Sequence, residues 1–153
     1  MPTPPRLCLL VLPALLLSAC APEGETMSEA AMASIDCEES HTLCVELLVP
    51  DTYEGEPSRL VTAMYDSNDT ERPPQGVMPE IESPSVVPGE SYLLSHAQID
   101  AAGEYFLMFV LYDVNGGKWI PKAGVDYTAT TPQSVIFDGA PIDLGELVLE
   151  FAD

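Results

Sequence analysis

From residue 37 onward the chain alternates short apolar runs with clusters of Pro, Gly, Asp and Asn. Side chains along a strand point to opposite faces in turn, so a period of two marks a strand with one buried face. Val45, Leu47 and Val49 alternate with Glu46 and Leu48, which predicts a first strand stopped by Pro50. In 59–66, Val61, Ala63 and Tyr65 share one face and Leu60, Thr62 and Met64 the other. The stretch 67–76, with Asn68, Asp69, Pro73, Pro74 and Gly76, reads as a loop. A short edge strand follows over 77–82, where Pro79 denies a central place because it has no N–H to give a ladder. After a turn region at 84–90, strands are predicted over 91–97, 104–114, 125–130, 134–137 and 144–151. The run 104–114 is apolar on both faces, with Tyr105, Leu107, Phe109 and Leu111 on one and Phe106, Met108, Val110 and Tyr112 on the other. That pattern predicts a strand covered on both sides. The last run sets Leu147, Leu149 and Phe151 against Glu146, Val148 and Glu150, predicting a half-buried strand.

Seven or eight strands in about 110 residues, with no helix of consequence and no internal repeat, predict an all-β fold, an immunoglobulin-like Greek-key β-sandwich. Tyr65-Asp66, the entry Gly103-Glu104-Tyr105, the exit Tyr112-Asp113-Val114-Asn115-Gly116 and the closing stretch 142–151 resemble transthyretin-like or carboxypeptidase-regulatory-like domains. The resemblance runs loosely over 45–151 and implies the sandwich fold but no reaction.

The first 36 residues have a different texture. A proline-rich start with one charge, Arg6, leads into an apolar run over 7–17 that is too short for a stable bilayer span. It ends in Leu17-Ser18-Ala19-Cys20, which resembles the lipobox of bacterial lipoproteins: Leu, a small residue, Ala or Gly, then Cys. The resemblance implies cleavage before Cys20, a diacylglycerol on its thiol and acylation of the new amino terminus, and several acyl chains anchor firmly. Ala21 after the cysteine, where Asp would imply inner-membrane retention, implies the outer membrane of a bacterial envelope. Residues 21–35 are small, acidic and poor in aromatics, which reads as a flexible tether. The expected organisation is a cleaved signal peptide over 1–19, a lipidated acidic tether over 20–36, and a sandwich domain over 37–153. No apolar run after Cys20 is long enough for a transmembrane helix.

Charge narrows the partners. From Cys20 onward, four basic residues stand against 25 acidic ones, a net of −21. Nucleic acid and anionic headgroups are polyanions and would be repelled by such a field. Cys8 leaves with the leader and Cys20 takes lipid, so Cys37 and Cys44 remain as one pair. In an oxidising envelope they are expected to form a disulfide. The alternative is zinc on Cys37, His41 and Cys44 with Asp36, Glu38 or Glu39 nearby, but a second Cys/His pair is missing.

Two further clusters carry candidate chemistry. In Asp113-Val114-Asn115-Gly116-Gly117, oxygen-bearing side chains at alternate positions in a glycine turn are how calcium loops begin. The twelfth position, where an EF-hand has glutamate, is Gly124, and Lys118 and Lys122 add positive charge. Asn-Gly is also a common hairpin turn, so the reading is a turn, with calcium on Asp113 and Asn115 as the alternative. Trp119, the only tryptophan, stands with Tyr112 and Tyr127 as a candidate aromatic platform for a sugar or peptide. Catalysis finds little support. Ser95 and His96 are adjacent on a strand and point to opposite faces, and no Gly-x-Ser-x-Gly, His-Glu-x-x-His or phosphate-binding glycine loop occurs. The expected function is therefore a non-enzymatic, membrane-anchored sandwich that binds a partner or serves as an accessory subunit of an envelope complex, without a cofactor. The alternative is a calcium- or carbohydrate-binding module.

Overall fold

A computed structural model of the chain describes residues 36–153. The expected leader, Cys20 and the tether through residue 35 lie outside the described residues. The described residues form ten strands and no helix, so none is long and apolar enough to cross a membrane. The strands are β1 (Leu43–Leu48), β2 (Pro57–Tyr65), β3 (Gly76–Val77), β4 (Ile81–Glu82), β5 (Ser91–His96), β6 (Gly103–Asp113), β7 (Tyr127–Thr130), β8 (Val135–Phe137), β9 (Ile142–Val148) and β10 (Glu150–Phe151).

They make two sheets. The smaller has the order β5-β1-β9, and the larger β10-β7-β6-β2-β3, with β4 also beside β2 and β8 beside β6. All pairings are antiparallel except β1 with β9, the first strand beside a late one. This is an all-β, two-sheet architecture consistent with a β-sandwich.

Ten strands appear where eight runs were expected because two runs divide. The run 77–82 breaks into β3 and β4 around Pro79, which has no N–H for β2. The closing run changes sheets: β9 pairs with β1, Leu149 sends its N–H to Leu48 O at 3.0 Å, and β10 pairs with β7. Leu149 itself is buried in the core at the crossing.

The core is where the alternating faces meet. Leu43, Val45 and Leu47 of β1 and Leu94 of β5 pack with Leu60, Leu107, Phe109, Leu111 and Ala129 of the larger sheet. Fully burying a residue of this kind is worth about 1.5–3 kcal/mol, so the interleaved faces hold the layers together. A second cluster of Val61, Val110 and Tyr112 with Met108 lies on the other face of β2 and β6, as the two-faced pattern of β6 predicts. Cys37 and Cys44 are joined by a disulfide that closes a short loop before β1. By loop-closure entropy such a link contributes about 2–3 kcal/mol.

A buried contact between two polar side chains links the sheets inside the core. The buried His96 on β5 meets Thr62 on β2 through Nε2 and Oγ1 at 2.9 Å, a link between the two sheets. Burial lowers the imidazole pKa to about 4. Because this lies below the unfolded value of about 6.5, the unfolded chain takes up the proton first as pH falls. Stability is therefore intact above about pH 6.5 and falls by about 3 kcal/mol towards pH 4 from this group alone. Denaturant titrations across that window should show the loss, and His96→Gln should remove it; an equal slope in the variant would contradict this origin.

Candidate functional site

The connection between β6 and β7, residues 114–126, is where the sequence-derived candidates collect. It has no secondary structure of its own, yet its backbone is extensively bonded. Its organiser is Asp126, the residue before β7, which is fully buried. Asp126 Oδ1 accepts the Asp113 N–H at 2.9 Å, and Oδ2 accepts those of Gly117 at 2.7 Å and Lys122 at 2.6 Å. One carboxylate thus ties the end of β6 to two points of the loop. Charged acceptors make hydrogen bonds worth about 1.5–3 kcal/mol each, more than neutral ones.

Asp113, at the end of β6, does a similar job on the other side. Its Oδ1 accepts the Asn115 N–H at 2.7 Å and the Asn115 side-chain amide at 3.2 Å, and Oδ2 accepts the Glu56 N–H at 2.6 Å. Burial would raise its pKa, but these donors, with Lys122 nearby, outweigh it and hold the carboxyl below its ordinary value. The glycines follow from this crowding. A Cβ on Gly116 would lie 1.8 Å from Asp126 Oδ1, and one on Gly117 would lie 1.8 Å from the Ile120 carbonyl. No other residue fits. Lys122 closes the loop, its Nζ donating to Asn115 O at 3.2 Å and its carbonyl accepting the N–H groups of Val125 and Asp126.

Above this frame stands an aromatic and cationic stack. The Arg59 guanidinium lies over the Tyr112 ring, 4.3 Å from its centre, and 5.5 Å from the centre of Trp119. Glu80 pairs with it at 3.2 Å, and it donates to the Lys118 carbonyl. Tyr112 Oη donates to Trp119 O at 3.2 Å. The loop backbone is held on both flanks, yet Trp119 is 74% exposed and Ile120 80% exposed, the two highest values among the exposed large apolar residues. Three of the four Lys and Arg residues in the described chain, Arg59, Lys118 and Lys122, sit in or under the same loop.

Trp119, Tyr112 and Tyr127 do not form one platform. Tyr112 is buried beneath Arg59, and Tyr127 lies in the core, 5.0 Å from the Tyr53 ring centre and 4.3 Å from that of Phe151. Trp119 is presented with Ile120 instead. Asp113 and Asn115 are together, but both Asp113 oxygens receive N–H donors, and the Asn115 amide turns its donor toward Asp113. Among the described residues no three His, Cys, Asp or Glu groups converge as metal ligands. Behind the loop, Tyr53 Oη is buried without a hydrogen bond among the described residues. Burial first, then the charges of Asp113 and Asp126, push its pKa up to about 12.

At the opposite end, His41 is exposed, donates through Nδ1 to Ile99 O at 3.1 Å, and lies in the loop closed by the Cys37–Cys44 disulfide, whose sulfurs are bonded to each other. Ser95 and His96 are both buried. Asp126, Arg59 and Ile120 were not singled out from the sequence. The available signal for Asp126 was an acid directly before the apolar start of a strand; the partners of Arg59 are distant in sequence.

Compared with known proteins, the chain matches no protein-family model, no curated protein and no solved structure. Asp126→Ala should cost about 3 kcal/mol or more, since three N–H groups, one buried and two part-buried, lose one charged acceptor. Fluorescence anisotropy of Trp119, the only tryptophan, should fall in the same variant as the loop loosens. Unchanged stability and anisotropy would contradict the role given to Asp126.

Proposed function

We propose that this chain is an envelope lipoprotein, anchored through acylated Cys20 at the outer membrane, whose non-catalytic sandwich binds a partner through the β6–β7 loop. The lipobox-like Leu17-Ser18-Ala19-Cys20 supports the anchor, and the acidic composition of 21–36 supports a tether. The parallel pairing of the central strand β1 with the edge strand β9 in the smaller sheet, among otherwise antiparallel neighbours, supports a transthyretin-like Greek-key arrangement.

The observation that carries the binding role is the exposure of Trp119 and Ile120 on a backbone pinned by Asp126 and Asp113. Ordering a mobile loop opposes association, so a surface fixed in advance binds with less loss. Tryptophan, tyrosine and arginine are also the residues that most often dominate binding interfaces. The loop lies at the Asp113 end of β6, an eleven-residue strand about 35 Å long, and the tether joins near the other end. A domain held this way presents the loop away from its point of attachment.

Trp119→Ala with Ile120→Ala should reduce capture of the partner from solubilised envelopes by roughly tenfold or more. The melting temperature should change little, because both side chains face solvent. Undiminished capture would sink the binding role. Cys20→Ala should leave a folded protein in the soluble fraction after salt and carbonate washing. Retention of that variant in the membrane pellet would overturn the anchor.

A further inference from the structure

The β6–β7 loop contains a linkage whose covalent chemistry the display of Trp119 does not use. Asn115 is followed by Gly116, and the only other asparagine of the chain, Asn68, is followed by Asp69. Asparagine is thermolabile because its side-chain carbonyl carbon can close a five-membered ring with the next backbone nitrogen. Before a glycine no side chain shields that nitrogen, and the backbone reaches the ring-closing geometry freely. This deamidation balances with water alone. Gly116 N attacks Asn115 Cγ, the Cγ–Nδ2 bond breaks, and Nδ2 leaves as ammonia carrying the proton that Gly116 N gave up. One water then opens the succinimide, leaving aspartate or isoaspartate at position 115 and one more negative charge.

In the closed loop both reacting groups are engaged elsewhere. The Gly116 N–H donates to the Asp113 carbonyl at 2.9 Å, which holds the proton that must leave. Asn115 Nδ2 and the Asn115 N–H both donate to Asp113 Oδ1, at 3.2 and 2.7 Å, so the side-chain amide is held on that carboxylate. Charge opposes the step as well. A Cβ on Gly116 would lie 1.8 Å from Asp126 Oδ1, so a second carboxylate abuts the same residue. A nitrogen anion at Gly116, and then an oxyanion at Asn115 Cγ, would form between two carboxylates in a part-buried loop, where like charges repel strongly. Lys122 acts in the other sense. Its Nζ donates to Asn115 O at 3.2 Å and draws charge from the peptide group that contains the Gly116 N–H, which makes that proton more acidic. One neighbour activates the linkage and two block it.

We propose that Asn115–Gly116 is a self-modification site guarded by Asp113 and Asp126, protected while the loop is closed and converted irreversibly when it opens. Conversion replaces an amide donor facing Asp113 Oδ1 with a carboxylate, so an attraction becomes a like-charge contact. Isoaspartate also lengthens the backbone by one carbon just before Gly116 and Gly117. There a Cβ would already lie 1.8 Å from Asp126 Oδ1 or from the Ile120 carbonyl. The frame under Trp119 and Ile120 does not re-form around the longer chain, so each opening that reacts retires the loop for good. The covalent chemistry stands on the hydrogen bonds alone; only its consequence for a bound partner rests on the reading of the loop as a binding surface.

Incubation of the detergent-solubilised full chain at mildly alkaline pH tests this, with peptide mapping by mass spectrometry to separate conversion at Asn115 from that at Asn68. The same chain in denaturing guanidinium chloride gives the rate of the open linkage. The native protein should convert Asn115 more slowly by roughly tenfold or more, because reaction waits on local opening. Asp126→Ala should raise the native rate by roughly tenfold or more. Asp113→Asn keeps the shape of the side chain and drops its charge, and it too should react faster than wild type while circular dichroism shows the sheets intact. Fluorescence anisotropy of Trp119 should fall in step with the fraction converted. Equal rates in the native and denatured chain would overturn the guard. Acceleration in Asp126→Ala with Asp113→Asn at the wild-type rate would assign protection to global stability and overturn the role of the carboxylates. Converted protein with unchanged anisotropy would overturn the effect on the loop. None of these readouts uses a captured partner, so their failure leaves the binding role standing and a failed capture leaves the guarded linkage standing.

Discussion

The buried carboxylate of Asp126 is the constraint on which the order of the β6–β7 loop depends. A thirteen-residue connection with two adjacent glycines would ordinarily sample many conformations, and fixing each residue costs about 1–2 kcal/mol of backbone entropy. Asp126 offsets that cost from inside the fold. It is fully buried directly before Tyr127, whose ring packs in the core, so its position is set by β7 and not by the loop. The N–H groups of Asp113, Gly117 and Lys122 then have one fixed acceptor to meet. A buried carboxylate without such donors would be strongly unfavourable, so core and loop require each other. The Arg59 stack completes the arrangement by supporting Trp119 from below without covering it.

Much of the fold was legible in the sequence because burial on one face imposes a period of two. The run 104–114 was read as covered on both sides, and β6 does place Leu107, Phe109 and Leu111 in the main core and Val110 and Tyr112 in the second cluster. The Cys37–Cys44 pairing was legible by elimination and the disulfide is present. The sheet change at Leu149 was not legible, since alternation reports which face is buried and not which neighbour supplies the ladder. The β6–β7 loop was half legible. Composition marks Asp113, Asn115 and Trp119, but nearness in sequence and shared aromatic character do not put Trp119, Tyr112 and Tyr127 on one surface. Tyr127 begins a strand and points inward, whereas Trp119 sits on the loop backbone. Arg59 reaches the site from β2, and only the three-dimensional pairing of β2 with β6 brings it there.

The few cations are distributed unevenly between the two ends of the sandwich. A chain with 25 acidic and five basic residues could have spread its cations as scattered surface pairs, which contribute little. Arg59, Lys118 and Lys122 instead gather around the most exposed apolar residues, with Glu80 paired to Arg59, while Glu39 and Asp100 lie towards the disulfide. The strained backbone at His41 and Gln98 and the crowded glycines at 116 and 117 mark the same two places. Sheet pairing along β6 keeps these ends apart and fixes their spacing.

The central claim is that Asp126 holds the β6–β7 loop as a fixed display. Amide hydrogen exchange of Gly117 and Lys122 in the native protein tests it most directly. If the claim is right, both amides exchange with the slow kinetics of β6 core positions such as Phe109, although they lie outside any strand. Exchange of either amide at the rate of an unstructured chain would contradict it.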